Sequence, residues 1–282
     1  FRNYYLNCMK TLIVPTDFSP VSINAMNYAI NLAKDIHASV ILFHAYQVPV
    51  AFSEVPVVTI SLEEMKLQTD QKMQELKESV QHVTSGEVEI RVHNILGDTI
   101  EELEILCRKE KPFAIVMGTH GAGALETMFM GSTTLSTINR LDTPVMIIPP
   151  GASFKPIHRI GFACDYSQVA ESTPINEIKK WVSLFDAKLK VLNVDYKNRQ
   201  FNPNVPMSLT KVHELLEPLK PDFHYIDDPD IEEGINAFAE THGIELLITI
   251  PKKHKLLDKI FQRSHTRELA LHAHVPILAI HE

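Results

Sequence analysis

Residues 117 to 134 read MGTHGAGALETMFMGSTT, which puts four of the chain's ten glycines, Gly118, Gly121, Gly123 and Gly131, into one stretch. The stretch follows the apolar run FAIV and closes on Gly131, Ser132 and Thr133. Glycines at the carboxyl end of a strand reach positive φ and approach a ligand closely. Successive backbone N–H groups there form a concavity for anions. A helix beginning at Gly131–Ser132 adds unpaired N–H groups and the positive end of its dipole. The chemistry such a set supports is the cradling of a polyphosphate. Two rival phosphate loops fail on spacing. No Gly-x4-Gly-Lys-Ser/Thr occurs, and Gly121-Ala-Gly123 meets Glu126 where a third glycine is required. Spacing alone leaves a surface loop with turn glycines open as the other account.

The remaining chemistry-bearing residues offer less. His272 and His274 lie two apart, with His265 upstream and His281 downstream, but no Cys/His spacing of a zinc site is present. MGSTT lacks the second glycine of a nucleophile elbow. Glu101, Glu102 and Glu104 fit the first turn and solvated face of a helix. Cys8, Cys107 and Cys164 form no Cys-x-x-Cys pair, so buried thiols in a reducing cytoplasm are expected. Trp181 reads as packing. The chain carries 27 basic and 35 acidic residues, a net charge of -8, which argues against a nucleic-acid groove. No apolar run approaches the roughly 18 residues of a membrane span. Residues 1–8 read as a leader outside the fold, with Met9 as a sensible start.

The elements that would position the glycine stretch occur twice. TLIVPTDFS (11–19) resembles RIGFACDYS (159–167), with Asp17 on Asp165. Residues 115–148 and 247–280 align without a gap, placing Pro144 on Pro276 and Ser132 on Ser264. The boundary falls near PPGASFKP, giving units of 9–151 and 152–282. In the first unit, TLIVPT reads as a buried strand. Ser19 caps a helix that has Pro20 at its first position and runs to about His37. SVILFHAY is a second strand, followed by a loop with Pro49 and Pro56. A helix follows over about 61–83, with apolar residues stepping by three and four. VEIRVHNIL is a third strand, and DTIE (98–101) has the pattern of a capping box. FAIVMG, GSTTLSTINRL and VMIIP complete the unit as strand, helix and strand. The second unit repeats this order, with DIEE (230–233) in place of DTIE. Alternation of this kind predicts an α/β fold: two parallel sheets of five strands with helices on both faces. The ligand site of such a sheet lies beyond the carboxyl ends of its strands, at the switch point.

Gly118-x2-Gly121-x9-Gly131-Ser132, VPTDFS (14–19) and VILFHA (40–45) together resemble the landmarks of the universal stress protein family. The resemblance covers nearly the whole chain as two tandem Rossmann-like domains of the adenine nucleotide α-hydrolase-like class. It implies ATP binding with Mg²⁺ in residues 9–151. Pro15, Thr16 and Asp17 would line the base and ribose, with Asp17 hydrogen-bonded to the nucleoside, and Ala45 would meet the adenine through its backbone. Met117 and Gly118 would approach the ribose and first phosphate. His120 and Gly121 would reach the phosphates, and Gly131, Ser132 and Thr133 would close over the distal ones. An arginine is often found in the family where this chain has His120, whose neutral ring offers one donor instead of five.

In the second unit Ile250, Lys253, Arg263 and Ser264 stand where the first has Gly118, Gly121, Gly131 and Ser132. A β-branched Ile250 disfavours positive φ, so the same cradle is not expected there. The resemblance thus implies a cytoplasmic, nucleotide-responsive stress module with slow hydrolysis at most. Its two units would form an intramolecular pseudo-dimer, with VMIIP and VPILAI at the seam, and a homodimer of the chain is conceivable. An adenylyl-transferring enzyme would need a second-substrate pocket and another glycine pattern. A scaffold holding a further ligand or protein through KKHK (252–255) and NPNVP (202–206) is the third reading.

Overall fold

The computed structural model describes residues 9–47, 61–119, 131–164, 174–195, 205–251 and 275–281. Strand β1 (Lys10–Pro15) is buried from Leu12 onward on both faces, as a central strand of a parallel sheet must be. Helix α1 (Pro20–Ile36) starts as its sequence predicts. The Ser19 hydroxyl accepts from Ser22 N, Pro20 takes the first position, and His37 closes the helix in the left-handed region with φ 52°. Then come β2 (Ala38–Tyr46), α2 (Leu62–Val83), β3 (Ile90–Leu96) and α3 (Thr99–Glu110). The run closes with β4 (Ala114–Gly118), α4 (Ser132–Arg140) and β5 (Val145–Ile148).

The capping chemistry differs in detail from the sequence expectation. At Asp98 the side chain accepts from Ile100 N and Glu101 N. The reciprocal box sits at α2, where Ser61 Oγ accepts from Glu64 N and Glu64 Oε2 accepts from Ser61 N, each at 3.1 Å. Asp230 caps its helix as Asp98 does.

The second run comprises β6 (Arg159–Ala163), α5 (Ile175–Phe185), β7 (Lys188–Asp195), α6 (Val205–Leu216), β8 (Asp222–Asp227), α7 (Ile231–Thr241), β9 (Leu246–Thr249) and β10 (Ile277–Ala279). It repeats the order as far as β9, and its last strand follows residues outside the described set. The ten strands of the described residues form one sheet in the order β3-β2-β1-β4-β5-β10-β9-β6-β7-β8. Every pairing is parallel except that of β5 with β10, where Met146 lies opposite Leu278. VMIIP and VPILAI therefore meet at the seam. The apolar cores follow the sheet across it. One face gathers Leu12, Met146, Phe162 and Trp181, and the other Ile13, Ile147, Leu192 and Phe238. The Trp181 ring packs on Phe113 with centroids 4.5 Å apart, and Tyr28 meets Phe154 edge-on at 5.4 Å.

Cys107 and Cys164 are both buried, and neither is in a disulfide among the described residues. Burial pushes the Cys107 thiol up to about 11, which leaves it a poor nucleophile at neutral pH. No helix among the described residues is long and apolar enough to cross a membrane.

Candidate functional site

In the first run β1 lies between β2 and β4. The chain leaves β1 toward β2 on one side and returns by β4 on the other, which makes the carboxyl ends of β1 and β4 the switch point. Pro15 ends β1, and Thr16 and Asp17 follow it. Thr16 N donates to Phe43 O at 2.9 Å, carrying the strand pairing one residue past the ladder. Ala45 lies near the end of β2, paired with Ile95. Met117 and Gly118 end β4. Gly131 N donates to Thr119 O at 2.8 Å, and Thr134 Oγ1 donates to Gly118 O at 2.9 Å. These two bonds bring the start of α4 against the end of β4. Pro15, Thr16, Asp17, Ala45, Met117, Gly118, Gly131, Ser132 and Thr133 therefore converge at one end of the sheet. His120 and Gly121 lie outside the described residues, as do Asp165, His265, His272, His274 and residues 252–255, 263 and 264.

The start of α4 fits an anion. Gly131 is its N-cap, with no side chain to satisfy the first-turn N–H groups. Those groups have no partner within a helix. Ser132 and Thr133 are exposed there. Asp17 is exposed too, and its Oδ1 accepts from Ser19 N at 3.1 Å. A carboxylate has capacity for further donors beyond that one.

Three residues play parts other than those their spacing suggested. The Met117 side chain is buried in the core, so only its backbone faces the site. Gly118 is outside the positive-φ set, and its reason is space: a Cβ would lie 2.5 Å from Val21 Cγ1 and 3.1 Å from Val21 O. Gly131 has φ −59° and ψ 146°, a conformation open to any residue. Positive φ thus explains neither glycine, and the argument from φ against Ile250 falls with it. Ile250 is half-buried and packs against the core face that holds Phe162 and Trp181. In the second run Ile250 stands at the place of Gly118.

Sequence reasoning passed over His44. Its Nδ1 lies 2.7 Å from Thr16 O, and its ring meets Phe18 at 4.6 Å and Tyr46 at 6.4 Å. The signal was present as the polar residue in the apolar run VILFHA. Burial lowers the His44 pKa, the Thr16 carbonyl and Asp17 oppose that, and Lys72 adds to it. Burial also lowers His93 and His224. The fold therefore favours the neutral rings, while the unfolded chain takes up protons near pH 6.5. Their stabilisation is fully present above pH 6.5 and is lost as the pH falls below it. Urea midpoints measured from pH 8 to pH 5 are expected to drop through that window. Among the described residues buried His224 Nε2 has no partner, so His224→Phe is expected to flatten part of the slope. A pH-independent midpoint would contradict this reading.

Among the described residues no group of three His, Cys, Asp or Glu side chains could hold a metal ion. Residues 9–149 match the model of the universal stress protein family. A universal stress protein of Methanocaldococcus jannaschii is 29% identical over 142 residues, covering 50% of this chain and 83% of that protein. The crystal structure of a universal stress protein from Archaeoglobus fulgidus superimposes with a TM-score of 0.72 at 17% identity, over 96% of this chain and 98% of that one. A functionally unknown protein from Pseudomonas aeruginosa gives 0.60 at 9% identity, over 98% and 93%. The family match over half the chain, on a fold shared along nearly its whole length, shows that the chain belongs to the universal stress protein family.

Proposed function

We propose that the chain binds ATP with Mg²⁺ in residues 9–151 and acts as a nucleotide-responsive stress or signalling module. The observation that carries this reading is the convergence of three strand ends with an α4 start whose N-cap is a bare glycine. Pro15, Thr16, Asp17 and Ala45 take the nucleoside side. Gly118, Gly131, Ser132 and Thr133 take the phosphates, and the family resemblance assigns His120 and Gly121 to them as well. The donor set suits a phosphate chain that brings its own Mg²⁺, which binds chiefly phosphate oxygens and water. Residues 152–282 serve as a degenerate partner unit, with a side chain at Ile250 where the first unit has Gly118. Binding then shifts the population of a state read by another molecule. In this reading binding itself is the signal, and any hydrolysis is slow.

Calorimetric titration of Mg-ATP into the whole chain tests this, with Gly131→Asp alongside. The variant's carboxylate caps α4 itself and repels phosphate, so the helix is kept while the anion is lost. One site per chain is expected, weakened about tenfold or more in the variant. Two sites, or equal affinity in the variant, would overturn the assignment. AMP and cyclic AMP, titrated in parallel, report how far the distal phosphates contribute.

A further inference from the structure

We infer that His44 is a positioning residue of the nucleotide site, holding the Thr16–Asp17 turn through its Nδ1–H. The inference rests on the proposal that this turn meets the nucleoside. The β1 ladder ends at the Pro15–Phe43 pair, so Thr16 lies just beyond it. A carbonyl only accepts, so the 2.7 Å contact to Thr16 O places a proton on His44 Nδ1.

The turn that follows is tight. Phe18 adopts φ 63°, a left-handed conformation uncommon outside glycine, and Phe18 N donates to Thr16 Oγ1 at 3.1 Å. Thr16 Oγ1 also shares a hydrogen bond with Ser22 Oγ at 3.1 Å. Ser19 N closes onto Asp17 Oδ1. The Phe18 ring lies against His44, with Lys72 Nζ 5.4 Å from the Phe18 centroid. Every bond that fixes Thr16 and Asp17 from within the turn is local. Among the described residues, the Thr16 N bond to Phe43 O and the His44 bond tie the turn to β2.

The second run solves the same problem with another residue. Cys164 N donates to Leu192 O at 2.8 Å, as Thr16 N does to Phe43 O. Asn193, the residue after Leu192, donates Nδ2 to Cys164 O at 2.9 Å. Histidine in one run and asparagine in the other supply one donor to one carbonyl. The shared requirement is the hydrogen bond, and the ring is particular to the first run. The groups facing His44 are Asp17 from the turn, Lys72 from α2 and Asn94 opposite it on β3.

The test is the Mg-ATP dissociation constant of the whole chain carrying His44→Ala or His44→Asn, with urea midpoints measured on the same samples. His44→Ala is expected to weaken binding about tenfold, the effect of one such bond. His44→Asn is expected to recover most of that loss, since Asn193 makes the equivalent bond in the second run. Equal affinity for His44→Ala and the parent chain overturns the inference and leaves the nucleotide reading intact. Equal weakening in both variants also overturns it, by assigning the effect to the ring. A parent chain that binds no Mg-ATP overturns both.

Discussion

Gly118→Ala is expected to cost about 1–3 kcal/mol of stability, read as a lowered urea midpoint with the slope unchanged. The added carbon would sit 2.5 Å from Val21 Cγ1, well inside contact distance, where α1 lies on the end of β4. Val21→Ala removes that methyl. It leaves Val21 O at 3.1 Å, so the double variant should recover much of the loss without reaching the parent. A coupling of about 1 kcal/mol or more between the two sites would be the signature of that contact. Strict additivity would mean that the glycine is kept for some reason other than helix approach. The result bears on the site because the same residue carries the Gly118 carbonyl that Thr134 grips from α4.

Trp181→Ala is expected to cost about 3–5 kcal/mol, the range for emptying a large aromatic site in a core. Trp181 is 0% exposed and packs on Phe113 from the other run and on Phe185 from its own helix. The loss should therefore be shared. Hydrogen exchange is expected to quicken at β4, beside Phe113, as well as along α5. Protection lost along α5 alone would show that the aromatic contact does not join the two runs energetically. Trp181→Phe is expected to cost far less, because among the described residues buried Nε1 has no partner and its removal relieves that donor.

The main helices and strands were legible because their signals are local. Ser19–Pro20 and Asp98 announce helix starts within a few residues, and the apolar runs of β1 and β4 announce buried strands. The seam was legible only through the family resemblance, since nothing local in VMIIP or VPILAI names the strand it pairs with. The strand ends and the helix start of the candidate site were legible, while the reasons for its residues were partly hidden. Gly118 is small because of Val21, which no spacing around residue 118 reveals. Met117 turns its side chain into the core, a choice set by sheet face. His44 and Asn193 differ in type but bond equivalent carbonyls, and an alignment by residue identity passes over such a pair. The box at Ser61–Glu64 is an ordinary sequence signal that was available and went unused.

The antiparallel pairing of β5 with β10 joins stretches of a single chain. Dilution cannot separate them, because each strand holds the other at a fixed effective concentration. A seam between identical subunits would change on both sides with every substitution. Here Met146 and Leu278 mutate one at a time, so each side of the contact is free to specialise against the other. Such a molecule can hold the strand ends of one run constant while those of the other change, and keep the two at one to one at any expression level.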